Sequence, residues 1–151
     1  MGIVNPPAPT PVKGVVWATT NVGGSVNDDQ VPVVWNTQLG SIGSTIVLNG
    51  SRIEFPVGGT FKLSANIHTT STVARVNIQL IPRLNGNTLV PGRGSSGYIR
   101  AATGHNQGSS HANYALEASP GDFVEFVGQR EANTGNGTLV ANSSFLLVEE
   151  I

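Results

Sequence analysis

Cysteine is absent from this 151-residue chain. Disulfide bonds and thiolate metal sites are therefore excluded. The fold must be stabilised by its hydrophobic core, and we expect a further contribution from contacts between subunits. A chain of this length is long enough to bury a substantial core as one domain.

Charged side chains are scarce. Asp, Glu, Lys and Arg make up 11% of the residues, against about 25% in an average globular protein. The formal net charge is −1, and the only lysines are Lys13 and Lys62, with no basic run anywhere. Nucleic-acid binding needs a basic surface that neutralises phosphates, so we expect no nucleic-acid partner. The sequence is instead rich in glycine, asparagine, serine and threonine. This composition predicts a neutral surface with many hydroxyl and amide groups.

Long hydrophobic runs are missing as well. No stretch of the sequence approaches the roughly 20 apolar residues of a membrane span, so we expect no membrane partner. The first residues lack the pattern of a signal peptide. They also fail the myristoylation pattern, because Pro6 stands where Ser or Thr is needed. We therefore expect a protein that is made in a cytoplasm without a visible export signal.

What the sequence does contain is a series of short strand patterns separated by turns. Phe61–Ile67 and Val76–Leu80 alternate apolar and polar residues, a period typical of strands with one buried face. Asn49-Gly50, Asn85-Gly86 and Pro120-Gly121 predict turns between apolar segments. No helical pattern is present. The fold class is predicted to be all-β, a jelly-roll sandwich of about eight to ten antiparallel strands.

Several further segments complete this prediction. Val31–Trp35 is predicted to be a strand near a sheet edge, because Pro32 cannot donate to a ladder. Phe123–Val127 and Phe145–Val148 are predicted to be strands covered on both faces. Residues 91–113 are glycine-rich and polar and are predicted to form a long loop, interrupted by Tyr98-Ile99.

The N-terminal segment is rich in proline, which favours an extended, semi-rigid chain. We predict an arm and linker over residues 1–24 and a jelly-roll domain over residues 25–151. The arm is either a tail or a segment that lies on a neighbouring subunit. If the arm docks on a neighbouring subunit of a capsid, it acts as a tether. The residues predicted to make this attachment are Ile3, Val4, Pro6, Pro7, Pro9 and Pro11.

Three motifs, in this order and spacing, carry a resemblance that covers about residues 31–151. The first is an apolar strand with a Pro-x-x-Gly turn, at residues 53–61. The second is the strand Val76–Leu80 with the turn at Leu84-Asn85-Gly86. The third is the Leu116 to Val124 segment with its Gly-Asp turn, followed by a closing strand at residues 144–147. Together they make the chain similar to the complement globular-head and tumour necrosis factor superfamily.

The resemblance implies a ten-stranded jelly roll that forms a tight homotrimer. It implies binding rather than a chemical reaction, and many bacteriophage and bacterial surface proteins carry this fold. The collagen-like stalk of many complement-type members is not found in this sequence.

Candidate chemistry in the sequence is weak. Residues 92–97 match the G-x-G-x-x-G pattern, but no helical pattern follows, so no dinucleotide or other cofactor is expected. His105 and His111 fall in a polar loop and His68 on the polar face of a strand, without the further rigid ligands that a metal needs, so surface histidines without a metal are expected. The alternative is that three-fold symmetry brings copies of one histidine together on an axis. No nucleophile elbow occurs, and we expect no catalytic residues and no enzyme.

One polar region has the composition of a recognition surface. Aromatic and arginine side chains among Asn and Ser suit the binding of sugars or proteins. The alternative is that its tyrosines pack in the core or at the trimer seam. The candidate ligand surface comprises Arg93, Tyr98, Arg100, His105, His111 and Tyr114.

These features predict a structural protein on the surface of a virion. The leading hypothesis is a trimeric bacteriophage capsid decoration protein that binds the major capsid protein or other virion proteins through its arm. The alternative is a receptor-binding or glycan-binding head of a phage fibre or tail tip, with host glycan as partner. A free-standing bacterial lectin-like module is a third hypothesis.

Overall fold

The computed structural model of the chain describes residue 2 and residues 13–89, 96–131 and 135–151. Within these ranges it contains strands, turns and loops and no helix. The strands are β1 (Val15–Thr19), β2 (Gly24–Val26), β3 (Val31–Pro32), β4 (Thr37–Ile42), β5 (Val47–Asn49), β6 (Arg52–Phe55), β7 (Gly59–Thr70), β8 (Val76–Leu84), β9 (Asn87–Thr88), β10 (Ser96–Ile99), β11 (Gln107–Ala118), β12 (Asp122–Arg130), β13 (Gly137–Leu139) and β14 (Phe145–Glu150).

These strands form two antiparallel seven-stranded sheets that pack face to face. Sheet A has the order β2-β13-β7-β14-β1-β4, with β11 on the other edge of β7. Sheet B has the order β10-β8-β12-β6-β5, with β3 also paired to β12 and β9 to β8. The predicted all-β jelly-roll sandwich is confirmed.

The core lies between the sheets and is built from the alternation seen in the sequence. In β7, Phe61, Leu63, Ala65 and Ile67 point inward and are at most 3% exposed. Aromatic rings fill the centre of the core. Phe55 and Phe61 lie 4.4 Å apart between ring centroids. Trp35 and Phe126 pack edge to face, with their ring centroids 6.4 Å apart. The ring quadrupoles favour this geometry.

The three predicted turns are confirmed. Asn49-Gly50 joins β5 to β6, Asn85-Gly86 joins β8 to β9, and Pro120-Gly121 joins β11 to β12. Gly50, Gly86 and Gly121 have φ angles of 63°, 82° and 90°, values in the left-handed region that glycine adopts without steric cost. Local turn chemistry therefore fixes three of the connections between strands.

Two of these turns also hold each other. Asp122 accepts hydrogen bonds from the Ser119 amide and from Asn85 Nδ2, both at 2.8 Å, and Asn85 Oδ1 accepts the Phe123 amide at 3.0 Å. The hydrogen bonds from Asn85 and Ser119 hold the pKa of Asp122 below its usual value. The Gly-Asp turn is thereby anchored to a neighbouring hairpin.

The domain boundary predicted at residue 25 needs correction within the described residues. β1 lies inside the range assigned to the arm and linker, yet it pairs with β14 on one side and β4 on the other. Val16 and Ala18 of this strand are at most 1% exposed, so their apolar side chains belong to the core. The predicted attachment residues Ile3, Val4, Pro6, Pro7, Pro9 and Pro11 lie outside the described residues.

Three local predictions were wrong. Residues 91–113 are not one loop, because β10 and the first part of β11 lie within that range. β14 is covered on one face only, since Phe145 is 43% exposed. The segment from Val31 to Trp35 pairs as a strand only at β3, although Val33 and Trp35 are buried; its predicted edge position is confirmed by pairing to β12 alone.

Candidate functional site

An exposed apolar surface covers part of the outer face of sheet A, the face directed away from the core. Residues that are paired in register share a face of a sheet. Trp17 pairs with Leu147 of β14, and Val15 pairs with Ile42 of β4. We call this surface the apolar strip; it consists of Val15, Trp17, Ile42, Phe145 and Leu147.

The strip stays open in the described structure. Ile42 is 54% exposed and Phe145 is 43% exposed, while Val15, Trp17 and Leu147 are half-buried. Trp17 spreads its indole across Gly40, where an added Cβ would lie only 2.3 Å from Trp17 Cζ2. A glycine in β4 therefore allows the tryptophan to lie flat against the sheet and to present an even apolar surface.

The rest of this face is polar and nearly uncharged. β7 contributes Ser64 and Asn66, which pair with the exposed Asn113 and His111 of β11. The described charged side chains in this area include Lys62 and Glu149, whose Nζ and Oε2 atoms are 3.7 Å apart. A surface of this kind can meet another copy of itself without opposing like charges.

A second surface lies at one end of the sandwich. It is an open depression of about 450 Å³ lined by Tyr98, Arg100, Gly104, His105, Asn106 and Gln107, which we call the loop-end depression. Tyr98 is 54% exposed, and the side chains of Arg100 and His105 are also exposed. An aromatic ring, a guanidinium group, an imidazole and two amides are thus brought together around solvent.

Ser71 ties the loops around this depression together. Its amide donates to the Asn106 carbonyl at 3.0 Å, its hydroxyl donates to the Asn136 carbonyl at 2.8 Å, and its Oγ accepts the Val73 amide at 3.1 Å. Ser71 is only 4% exposed. These buried bonds position the β7–β8 loop and the β10–β11 loop relative to each other.

The structure brings together only part of the predicted ligand surface. Tyr98, Arg100 and His105 line the depression. His111 and Tyr114 lie further along β11 on opposite faces of sheet A, because His111 is exposed and Tyr114 packs against the core. Tyr114 is thus a packing residue, as the alternative interpretation had it, and Arg93 lies outside the described residues.

A residue that the sequence did not suggest also stands near the depression. Ile99 of β10 pairs with Val76 of β8, so Arg100 and Arg75 flank the same end of this strand pair. Arg75 is exposed and has a φ of 61°, a conformation that costs a non-glycine residue about 1–2 kcal/mol. Strained residues of this kind concentrate at binding sites. Only the strand pairing reveals this neighbour, because 24 intervening residues separate the two arginines in the sequence.

Glu131 places a carboxylate on this side of sheet B. It accepts hydrogen bonds from Asn77 Nδ2 at 3.0 Å and from Gln79 Nε2 at 2.7 Å. Asn77 is the register partner of Tyr98. Both carboxylate oxygens are therefore engaged by amides of β8, one strand away from Tyr98.

A buried ion pair lies elsewhere on sheet B. Arg83 Nη2 and Glu125 Oε2 are 2.9 Å apart, with side chains 18% and 12% exposed. Ser51 and Gln30 complete the network at 2.8 Å and 3.2 Å. At the end of β12, the strand that carries Glu125, Arg130 binds Asp28 and lowers the pKa of that carboxyl group. These groups fasten the chain before β3 to β8 and β12.

Among the described residues, no group of three or more His, Asp or Glu side chains is placed to hold a metal ion. Nor do the described ranges contain a helix of the length and apolarity needed to cross a membrane.

Comparison with known proteins shows likeness at the level of structure. No family model matches the chain, and no curated protein matches its sequence. Among solved structures, murine APRIL at pH 5.0 aligns with a TM-score of 0.67 at 15% identity, over 93% of this chain and 100% of that one. The globular domain of zebrafish complement 1qA protein aligns with a TM-score of 0.59 at 13% identity, over 93% and 98%. Eiger TNF from S. frugiperda gives 0.62 at 12% identity, over 92% of both chains.

These alignments extend over nearly the whole sandwich and confirm the fold part of the resemblance. At such low identity they establish the architecture and leave the activity open. The chain has the jelly-roll fold that tumour necrosis factor-like proteins share with complement globular heads.

Proposed function

We propose that this chain is a non-enzymatic structural module that assembles as a homotrimer through the outer face of sheet A. The apolar strip is the single observation that carries the proposal. Exposed apolar surface of this extent on a β-sheet face is typical of subunit interfaces. The fold supports the same proposal, since the resemblance in the sequence implies a trimer.

The free energy gained by burying the strip, compared with the cost of association, favours a ring of subunits over a single pairwise contact. Complete burial of a large apolar side chain contributes about 1.5–3 kcal/mol, whereas association costs about 4–15 kcal/mol in lost freedom of motion. Since the strip residues are already partly covered, burial of one strip offsets only the lower part of this range of costs. In a closed trimer every subunit contributes to two interfaces, and the neutral polar area beside the strip is buried as well.

The proposal is tested by placing a charge in the strip. Leu147→Asp puts a carboxylate in the middle of the interface without entering the core, so the trimer should dissociate. Light scattering at micromolar concentration should give three times the 15.7 kDa chain mass for the unchanged protein and the single chain mass for the variant.

Val57→Asp is the matched control, because Val57 is 55% exposed and lies on the β6–β7 connection rather than in the strip. It should remain trimeric. A monomeric unchanged protein, or a Leu147→Asp variant of unaltered mass, would contradict the proposal.

Our finer proposal is that the trimer is a surface protein of a virus particle, specifically a bacteriophage capsid decoration protein that is made in the host cytoplasm. A compact neutral sandwich joined to a proline-rich arm has the composition of a module that attaches to a larger assembly. The test is electron microscopy of particles: trimers at regular positions on the capsid would support the proposal, and a location on a fibre or tail tip would overturn it.

The loop-end depression favours a second candidate function, that of a receptor-binding or glycan-binding head. Exposed aromatic, arginine and amide side chains around an open depression suit recognition of a polar ligand. A head of this kind should bind glycans on an array, whereas a decoration protein should bind empty capsids.

A further inference from the structure

We propose that the loop-end depression binds an anionic saccharide, whose carboxylate or sulfate group is held by Arg100 and Arg75 and whose ring lies against Tyr98. This inference rests on the second candidate function and adds the chemical class of the ligand. It also extends the site to Arg75, which does not line the depression itself.

Two positive charges at one end of a strand pair are the first observation. Arg75 and Arg100 flank the last register pair of β8 and β10. The last pair, Val76 and Ile99, lies about 4.5–5.5 Å apart between Cα atoms, and each arginine is the next residue along the chain, so two long side chains can converge on one anion. Arginine is suited to this task because its planar guanidinium donates two parallel hydrogen bonds to a carboxylate or sulfate.

These guanidinium groups remain available for a ligand. The ion pairs of the described residues engage Arg83 and Arg130 with Glu125 and Asp28 and do not include Arg75 or Arg100. Glu131 follows the end of β12, and its carboxylate oxygens accept hydrogen bonds from amide side chains of β8. In a protein with few charges, two arginines that take part in none of the described ion pairs favour a local positive potential.

Tyr98 and the amides make a saccharide the better match than a free anion. The Tyr98 ring is 54% exposed beside Arg100, and its flat apolar face can cover the C–H face of a pyranose while hydroxyl groups bond to Asn106 and Gln107. A depression of about 450 Å³ has room for one or two sugar rings.

The geometry is also fixed before a ligand arrives. Ser71 joins the loop that carries Arg75 to the loop that follows Arg100, through its bond to the Asn106 carbonyl at 3.0 Å. Ala101 donates to the His105 carbonyl at 3.3 Å and closes the second loop. Loops that are held in place lose less conformational freedom on binding.

The test is calorimetric titration of the full chain with three probes: 3′-sialyllactose, a heparin tetrasaccharide and lactose. At least one acidic probe should bind, more weakly as salt is raised, and lactose should not. Binding of the first probe alone would identify a carboxylate ligand, and binding of the second alone would identify a sulfate ligand. Absence of binding by both acidic probes, or equal binding of lactose, would overturn the inference.

Variants assign the site. Arg100→Ala and Arg75→Ala should each weaken binding of the acidic probe about tenfold, as expected for the loss of a charge-assisted bidentate contact. Tyr98→Ala should weaken it as well. Arg52→Ala is the matched control, because Arg52 stacks over Phe123 at 4.2 Å elsewhere on sheet B, and it should bind normally. Unchanged affinity in both arginine variants would refute the assignment.

The same samples separate this inference from the trimer proposal. The variants at Tyr98 and Arg100 should keep the mass of the unchanged protein in light scattering. If they dissociate, these residues belong to a subunit contact and the inference is wrong. A stable trimer that binds neither acidic probe would overturn the inference and leave the trimer proposal standing.

Discussion

Glycine has two distinct roles among the residues that shape this molecule. Gly40 is required by its neighbour, because a side chain there would collide with the indole of Trp17. Gly121 is required by its own backbone, since an added Cβ meets no atom within 4 Å while φ is 90°. Gly40 therefore leaves room for the Trp17 ring on the outer face of sheet A, and Gly121 allows the backbone conformation of the turn.

Replacement of Gly121 by valine should destabilise the fold by about 1 kcal/mol or more, because a β-branched residue cannot adopt the left-handed region without strain. Thermal or denaturant unfolding measures the change. Gly24→Val is the matched control, since Gly24 lies in β2 with open space around it and without a positive φ. Equal stability of the Gly121→Val protein and the unchanged protein would show that the turn does not require this conformation.

At the scale of the element, β12 is the strand buried most completely on both faces. Val124 to Gly128 are all buried, and even the charged Glu125 is only 9% exposed. Its inner face joins the core through Phe126. Its outer face carries the Glu125 carboxylate that binds Arg83 and Ser51. On the outer side of the strand this charged network lies beside buried apolar packing, because Val127 is fully buried and pairs with the equally buried Ile81 of β8.

Removal of one charge from this network should lower the free energy of unfolding more than replacement of both charges by apolar side chains. Glu125→Ala leaves the Arg83 guanidinium largely buried without its counter-charge, and the loss of unfolding free energy should be about 3–5 kcal/mol. The double variant Glu125→Leu with Arg83→Met should lose clearly less, since both charges are removed together. Denaturant unfolding of the single and double variants measures the difference, and equal losses would contradict this reasoning.

The sequence predicted those elements whose structure is determined locally. The turns at Gly50, Gly86 and Gly121 follow from the residues within them, and the buried face of β7 follows from its alternation. β10 and the first part of β11 escaped prediction because pairing between distant strands, rather than local propensity, makes strands of the polar residues 96–113. Phe145 was misjudged for a related reason, because an exposed apolar side chain has the same sequence signal as a core residue.

The candidate site was predictable in composition but not in arrangement. Tyr98, Arg100 and His105 lie close together in sequence and remain together in the depression. Tyr114 belongs to the core because the alternation of β11 turns it inward. Arg75 enters only through the pairing of β8 with β10. Side-chain direction and long-range register are therefore what the sequence alone did not supply.

At the scale of the whole molecule, the N-terminal segment should act in attachment rather than in folding. Gly14 belongs to the sandwich, since its carbonyl accepts the Glu150 amide at 2.8 Å, so the deletion that tests the arm spans residues 2–12. This deletion should leave the melting temperature and the oligomer mass nearly unchanged and reduce incorporation into particles, because an extended proline-rich tether is lost.

Electron microscopy of particles supplied with the truncated protein measures this incorporation. A second variant keeps the length of the arm but replaces its prolines by alanine, at Pro6, Pro7, Pro9 and Pro11. It shows whether incorporation needs the stiffness that proline gives or only an arm of this length. Full occupancy of the truncated protein on particles would refute the tether, and an insoluble truncation would show that the arm belongs to the core.

The pairing of β1 with β14 has a consequence for the order of events during synthesis. Val15 lies opposite Glu149, and β14 fits between β1 and β7. Because β14 follows β1 and β7 in the chain, the side of β1 that pairs with β14 stays unpaired on the nascent chain until β14 has been made. Until then β1 pairs only with β4, and its free edge can pair with a wrong strand.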